Sequence, residues 1–339
     1  MRQTTKTQQR KQAALALIQQ FPDHGARTIA RALTKEHPQL FKDVESARDL
    51  IRVLTGQKGQ KTRHTAVKPR EPRNPGYKVQ MPESRAKDRS PFKITGENKI
   101  LVVSDLHLPY HDVRSVEIAL THGLNEGCDT IILLGDVMDC YQLSRWVRDP
   151  AQSSIPREVE IVKSFFRYLR ERFPKARIIW KEGNHEERWL HFFFNNAPQL
   201  AQLETMSLYH AVGAKEMGVE VVDDKRVLDV SGLLLYHGHE LPTGLAPAVN
   251  PARGLFLRLY ENAMCGHFHR SSHHVEKSAK NNLVSAWSIG CLCDLSPDFA
   301  TVNKWNHGFA IIDQTGPKTF GVDNYMIHDG QLMGGKNAN

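Results

Sequence analysis

Three apolar runs, residues 99–104, 130–134 and 176–180, are the strongest constraint on how this chain folds. Each is short, continuous and rich in Ile, Leu and Val, the pattern of a strand buried on both faces. Helical patterns separate them. Asp112 suits an N-cap for a helix reaching about Asn125, and residues 157–172 carry Val159, Val162, Phe165, Phe166 and Leu169 on one stripe. A β-α-β-α-β order implies right-handed crossovers and a largely parallel sheet. All three runs stop on polar residues: Asp105-Leu106-His107, Gly135-Asp136 with Asp139, and Gly183-Asn184-His185-Glu186. Groups at the carboxyl ends of parallel strands stand where such sheets bind ligands.

Two later runs end in the same style. Residues 233–236 lead into His237-Gly238-His239, and residues 263–265 into Gly266-His267-Phe268-His269. The runs at 283–289 and 308–312 read as parts of a second sheet. Residues 187–226 read as a helical insertion, with Trp189, Phe192, Phe193 and Phe194 as core packing rather than a wall for substrate. Residues 326–339 read as a flexible tail.

The front of the chain differs in charge. Residues 1–95 hold 21 Lys and Arg against 8 Asp and Glu, a net of +13, which leaves −5 of the chain's +8 for the remainder. Residues 1–60 read as a basic three-helix module resembling a helix-turn-helix, the third helix starting at Asp43. Arg48 and Arg52 lie one turn apart on it, and Lys58, Lys61 and Arg63 follow, all candidates for nucleic-acid phosphates. An ordinary charged face on a docking unit is the alternative. Residues 61–97 read as a basic, proline-containing linker. DNA binding by residues 1–95 is the partner this charge suggests.

The chain has 17 histidines, and only His24, His37 and His64 precede residue 100. Five scattered cysteines form no CxxC pair and read as reduced thiols. No apolar run is long enough to cross a bilayer, and no apolar signal core follows the basic N-terminus, so a cytoplasmic protein without a membrane partner is expected.

Carboxylates, an amide oxygen and imidazoles are ligands for divalent cations. Two adjacent cations need a bridging anion, and Asp136, fixed after Gly135, suits that place. In order, Asp-x-His, Gly-Asp-x-x-Asp, Gly-Asn-His-Glu, His-Gly-His and Gly-His-x-His resemble the calcineurin-like metallophosphoesterases over about residues 98–325. The resemblance implies a four-layer α/β/β/α sandwich behind the small N-terminal helical domain. It implies one metal on Asp105, His107, Asp136 and His269, and a second on Asp136, Asn184, His237 and His267. A hydroxide bridging the ions would be the nucleophile, His185 would protonate the leaving oxygen, and Asp139 would orient His185. Mn2+ is the first expectation, with Fe, Zn, Mg or Ni as alternatives.

The expected reaction is hydrolysis of a phosphodiester or phosphomonoester, with DNA, RNA or a nucleotide as substrate. A small-molecule phosphatase and a non-catalytic DNA-binding regulator are the rivals. Cys140 stands where family members acting on phosphoserine carry Arg, which argues against a protein phosphatase. Arg188 reads as a phosphate contact or a surface ion pair, and His111 as a pocket residue or a loop histidine. His239 has no ligand role in the family pattern. His273, His274, Lys277 and Lys280 read as a solvated loop before a basic rim. Glu186 reads as an anchor for its loop. The pattern is also similar to phosphoesterases of phages and prophages.

Overall fold

The computed structural model describes residues 5–58, 81–96, 98–223, 225–241, 249–279 and 281–334. Most of the expected linker, Lys61, Arg63, Lys280 and residues 335–339 lie outside the described residues. The chain divides into two units, Met1–Ala86 and Lys87–Asn339.

In the first unit the turn at Phe21-Pro22 and the N-cap at Asp43 separate three helices, α1 (Lys6–Gln20), α2 (Ala26–Glu36) and α3 (Val44–Leu54). The Asp43 side chain accepts from the Ser46 N–H at 2.7 Å, answering a donor that the first turn of α3 leaves unpaired. Ala14, Leu17 and Ile18 of α1, Ile29, Ala30 and Leu33 of α2, and Ala47 and Ile51 of α3 close a core around Phe41. Each of the larger side chains contributes roughly 1.5–3 kcal/mol by leaving water.

The second unit contains two sheets. Strands β2 (Asn98–Val103), β3 (Thr130–Leu134), β4 (Arg177–Lys181) and β5 (Val219–Val222) run parallel. Helices α4 (Val113–Asn125) and α5 (Ile155–Arg172) make the first two crossovers, and Asp112 caps α4 by accepting from Ser115 N–H at 2.7 Å. Beyond β2 the sheet continues antiparallel through β11 (His307–Gly316), β12 (Thr319–His328) and β13 (Gln331–Met333). The second sheet has the order β1 (Phe92–Ile94), β6 (Leu228–Val230), β7 (Leu233–Tyr236), β8 (Ala263–Cys265), β10 (Leu283–Ser288) and β9 (Ser272–Lys277).

Alternation along the strands makes the layers. Leu101, Val103, Ile131, Leu133, Ile178 and Trp180 face α4 and α5, whereas Ile100, Val102, Ile132, Leu134 and Ile179 face the second sheet across a shared core with Leu228, Val230, Leu233, Leu235 and Met264. The other face of the second sheet, with Ala263, Cys265 and Ala286, packs on α8 (Pro251–Leu259). The four-layer α/β/β/α sandwich expected from the motifs is the architecture observed.

Four local expectations need correction. Residues 308–312 belong to the first sheet, where β11 pairs antiparallel with β2, and not to the second. A buried central strand has the same composition in either sheet, so only pairing decides. The segment 187–226 is helical in α6 (Asn184–Asn196) and α7 (Leu208–Ala211), but ends in β5, parallel to β4. Its four residues are too few to show a period. The end of the expected linker contains β1, whose Ile94 is 2% exposed in the inter-sheet core. Residues 326–333 lie in β12 and β13 rather than in a free tail. Ladder partners organise both segments, β6 from far along the chain for β1 and the adjacent β12 for β13, while their own composition is weak.

Candidate metal centre

Asp105 and His107 follow β2, Asp136 and Asp139 follow β3, Asn184 and His185 open α6 directly after β4, His237 follows β7, and His267 and His269 follow β8. The first three strands are neighbours in one sheet and the last two are neighbours in the other. The two sheets therefore deliver their loops to one place.

Backbone geometry at that place is unusual. Asp105, His107, Asp136, His267 and His269 all sit at positive φ, between 49° and 67°. Such conformations cost a non-glycine residue of order 1 kcal/mol or more and persist where surrounding contacts enforce them. The main enforcer on the Asp136 side is Glu186. Its carboxylate, 2% exposed, accepts from the N–H groups of Asp136, Val137, Met138 and Gly183 at 2.9, 2.7, 3.0 and 2.8 Å. The anchoring role expected of Glu186 is what the contacts show.

Gly183 is extended (φ −105°), so no left-handed turn demands it. Space does: a Cβ there would lie 2.3 Å from Asp136 Oδ1. Gly135 has both reasons, with φ +90° and a Cβ position 2.3 Å from His237 Nδ1.

Donor atoms converge in two overlapping groups. Asp105, His107 and Asp136 place one ligand atom each within 4.8 Å of one another, and so do Asp136, His237 and His267. Asp136 is common to both. His269 Nε2 lies 3.2 Å from Asp105 Oδ1 and 3.3 Å from His107 Nε2, and Asn184 Oδ1 lies 3.1 Å from His237 Nε2. Outer partners orient the rings. His107 Nδ1 is 2.9 Å from Asp139 Oδ1, and His237 Nδ1 is 2.8 Å from the carbonyl of Leu134. With Nδ1–H donating outward, each Nε2 points inward, the arrangement that prepares imidazoles for metal binding.

Burial and mutual charge shift the groups of this cluster in opposite directions. Burial pushes the Asp136 carboxyl up, but positive His185 and His237 outweigh it and hold the group well below the carboxylate range. Burial alone would lower His237; the Asp136 charge and hydrogen bond instead push it up to about 10. His269, also opposed by burial, is raised to about 9 by Asp105. His267 is pulled down to about 4 by burial and the charge on His237. Divalent cations can supply the same counter-charge, and the donor set of two carboxylates, an amide oxygen and four imidazoles suits them. The residues present fit metal ions.

A model of the calcineurin-like phosphoesterase family matches residues 98–275. The chain belongs to this family. Its members are metal-dependent, and this phosphoesterase is a hydrolase. It is similar to Gene 54 protein of Mycobacterium phage L5, 22% identical over 231 residues that cover 64% of this chain and 89% of that protein. Among solved structures, a single mutant of Vps29 from Entamoeba histolytica matches with a TM-score of 0.36 at 14% identity, covering 70% of this chain and 97% of that one. The nuclease MPE of Pseudomonas putida matches with a TM-score of 0.30 at 17% identity, covering 69% and 86%.

The phosphoesterase's other predicted residues divide into those at the centre and those away from it. His185 Nδ1 is 2.9 Å from Asp139 Oδ1 and 2.8 Å from the Asp139 carbonyl. Arg188 reaches His185 Nε2 at 2.8 Å and the Asp139 carbonyl at 3.0 Å, so its guanidinium is at the centre rather than in a surface ion pair. Cys140 is fully buried at φ 51°. His111 is half-buried, 3.3 Å from the Pro109 carbonyl, and is not among the residues lining the cavity over the cluster. His239 contacts Glu187 at 3.1 Å. His273, His274 and Lys277 lie on β9 rather than in a loop or on a rim: a strand at the sheet edge takes them, with His273 stacked on Trp287. Trp189 packs on the main core, but Phe192 and Phe194 are 43% and 55% exposed, so α6 buries less aromatic surface than expected. In the first unit, Arg48 pairs with Glu45 at 3.2 Å and Lys58 with Asp49 at 2.7 Å, while Arg52 lies in the last turn of α3. Among the described residues, no helix is long and apolar enough to cross a membrane.

Several residues escaped the sequence reading. Glu240 accepts from the N–H groups of His237 and Gly238 at 3.2 and 2.7 Å and pairs with Lys181 at 2.5 Å. Lys181 is fully buried, and a lysine closing an otherwise apolar strand was the available signal. Cys293 places its sulfur 3.9 Å from His269 Nδ1. Nothing local in the sequence marks that contact.

Proposed function

We propose that the phosphoesterase is a dinuclear enzyme that hydrolyses phosphodiesters or phosphomonoesters of nucleotides or nucleic acid. The observation that carries this reading is the convergence of two donor groups on a shared Asp136, held by Glu186. One metal would be held by Asp105, His107, Asp136 and His269, and the other by Asp136, Asn184, His237 and His267. Bound divalent cations, Mn2+ first, would supply Lewis acidity for activating water and offsetting charge on the phosphoryl oxygens.

The chain's own groups do the rest. Asp139 accepts from His185 Nδ1, so Nε2 is presented to the cavity. From there it delivers a proton to the leaving oxygen. Arg188 holds its guanidinium 2.8 Å from Nε2. A phosphate that draws the guanidinium to itself uncovers Nε2 for the leaving oxygen. Arg188 thus couples substrate arrival to readiness of the acid. The +13 charge of residues 1–95 supports a polyanion-binding role for the front of the chain, tested by comparing the salt dependence of DNA binding with and without it.

The catalytic claim is tested with bis-p-nitrophenyl phosphate and p-nitrophenyl phosphate in Mn2+. Asp136→Asn is expected to lower kcat by about 10³-fold and to reduce the metal bound per chain. No turnover of either ester by the wild type, with metal shown bound, overturns the enzyme reading.

A further inference from the structure

Above the metal-ligand cluster opens a cavity of about 1020 Å³, far larger than one phosphoryl group needs. His107, His185 and His269 are part of its lining, so a phosphoester at the cluster lies within it. Two aromatic pairs belong to the same lining. Trp305 packs edge-on against His269 with ring centroids 4.2 Å apart, and Phe299 against Trp305 at 6.1 Å. Tyr110 and Tyr141 form the other pair, also at 6.1 Å. Phe299 is 81% exposed and nearby Trp146 is 68% exposed. Large aromatic faces held open beside a polar centre favour a flat, partly apolar ligand.

Charge narrows the choice. Among the described residues lining the cavity, Arg188 is the one Lys or Arg, and Asp149, Asp294 and Asp298 line it as well. An extended polyanion laid across this mouth would meet more negative charge than positive. A ligand with a single phosphoester and an uncharged ring bearing N–H donors avoids that repulsion, and the aspartates can accept from its donors. Gln152 connects the two sides, 3.4 Å from the Tyr110 hydroxyl and 3.3 Å from Asp298 Oδ2, next to where such a ring would seat.

We propose that Phe299, Trp305, Tyr110 and Tyr141 form a nucleobase subsite, so that the substrate is a nucleoside phosphoester. The base stacks in the mouth while its phosphate reaches the cluster. This rests on the phosphoesterase reading, and the experiment separates the two. Full-length protein in Mn2+ is given thymidine 5′-(p-nitrophenyl) phosphate or methyl p-nitrophenyl phosphate, which share a leaving group and differ by the nucleoside. The wild type is expected to favour the thymidine ester in kcat/KM by tenfold or more, and Phe299→Ala to reduce that ratio about tenfold, mainly through KM. Binding is measured in parallel by calorimetry, with adenosine 5′-monophosphate expected to bind at least tenfold tighter than ribose 5-phosphate, and Tyr141→Ala expected to erase most of the difference. A wild-type ratio near one, or a ratio that neither variant changes, overturns the subsite. If neither ester turns over but the calorimetric preference and its loss are seen, the phosphoesterase reading falls and the subsite stands.

Discussion

The floor of the cavity and its mouth are built in opposite ways. On the floor, the carboxylates and most of the imidazoles are buried, outer partners orient the rings of His107 and His237, and five residues hold left-handed backbone conformations. At the mouth, aromatic side chains stand on loops, two of them largely exposed, with few partners. The floor has little freedom to adapt, and its geometry is set before substrate arrives. The mouth can adapt, at the cost of leaving apolar surface in water. Chemistry that depends on atomic placement belongs with the first, and recognition of a ring's face with the second.

The sharpest way to break this contrast is to loosen the floor from behind. Lys181→Met leaves Glu240 buried without its cation, and a loss of about 3–5 kcal/mol in urea unfolding is expected, with weaker metal retention. The double variant Lys181→Met/Glu240→Gln should recover much of that loss. If the single variant costs less than about 1 kcal/mol, the pair does not hold the floor.

A smaller effect, on rate and not on assembly, is expected from His185→Ala. It should lower kcat about 10²-fold while metal content stays that of the wild type. A variant with equal turnover contradicts the acid role, and one that loses metal makes His185 part of the floor's scaffold.

The smallest effect concerns Glu158 of α5. It is fully buried beneath the Asp139–Tyr141 turn, where burial and then the Asp139 charge raise it to about 7. The unfolded chain releases this proton near 4.5 and the folded chain near 7, so the folded state binds more protons between those values. Stability should therefore fall as pH rises through that window, by up to about 3 kcal/mol, and level off above it. Glu158→Gln should flatten the decline in unfolding measured between pH 4.5 and 8. A decline as steep in the variant assigns the pH dependence to other groups.

Much of the floor was legible in the sequence because its residues follow apolar strands at fixed, short offsets. Asp105, Asp136 and Asn184 each come one to three residues after a strand, and strands are recognised by composition. What lay hidden depends on pairing across the chain. The position of β11 beside β2 is decided by partners some 210 residues apart in sequence, as Ala310 pairs with Val102. Glu240 reads as one more acidic residue until Lys181 is placed against it. Phe299 and Trp305 sit in a loop with no period, so nothing links them to Tyr110 until the sheets are assembled. The reason for Gly183 was also invisible, since the need is room for Asp136.

Glu186 grips the loop after β3 only by main-chain N–H groups. Every amino acid except proline supplies one. The side chains of Val137 and Met138 can thus be exchanged to suit the core while Asp136 keeps its direction. In that loop the vocabulary of permitted residues is limited by packing alone, and a single imino acid at position 137 or 138 would silence a site it never touches.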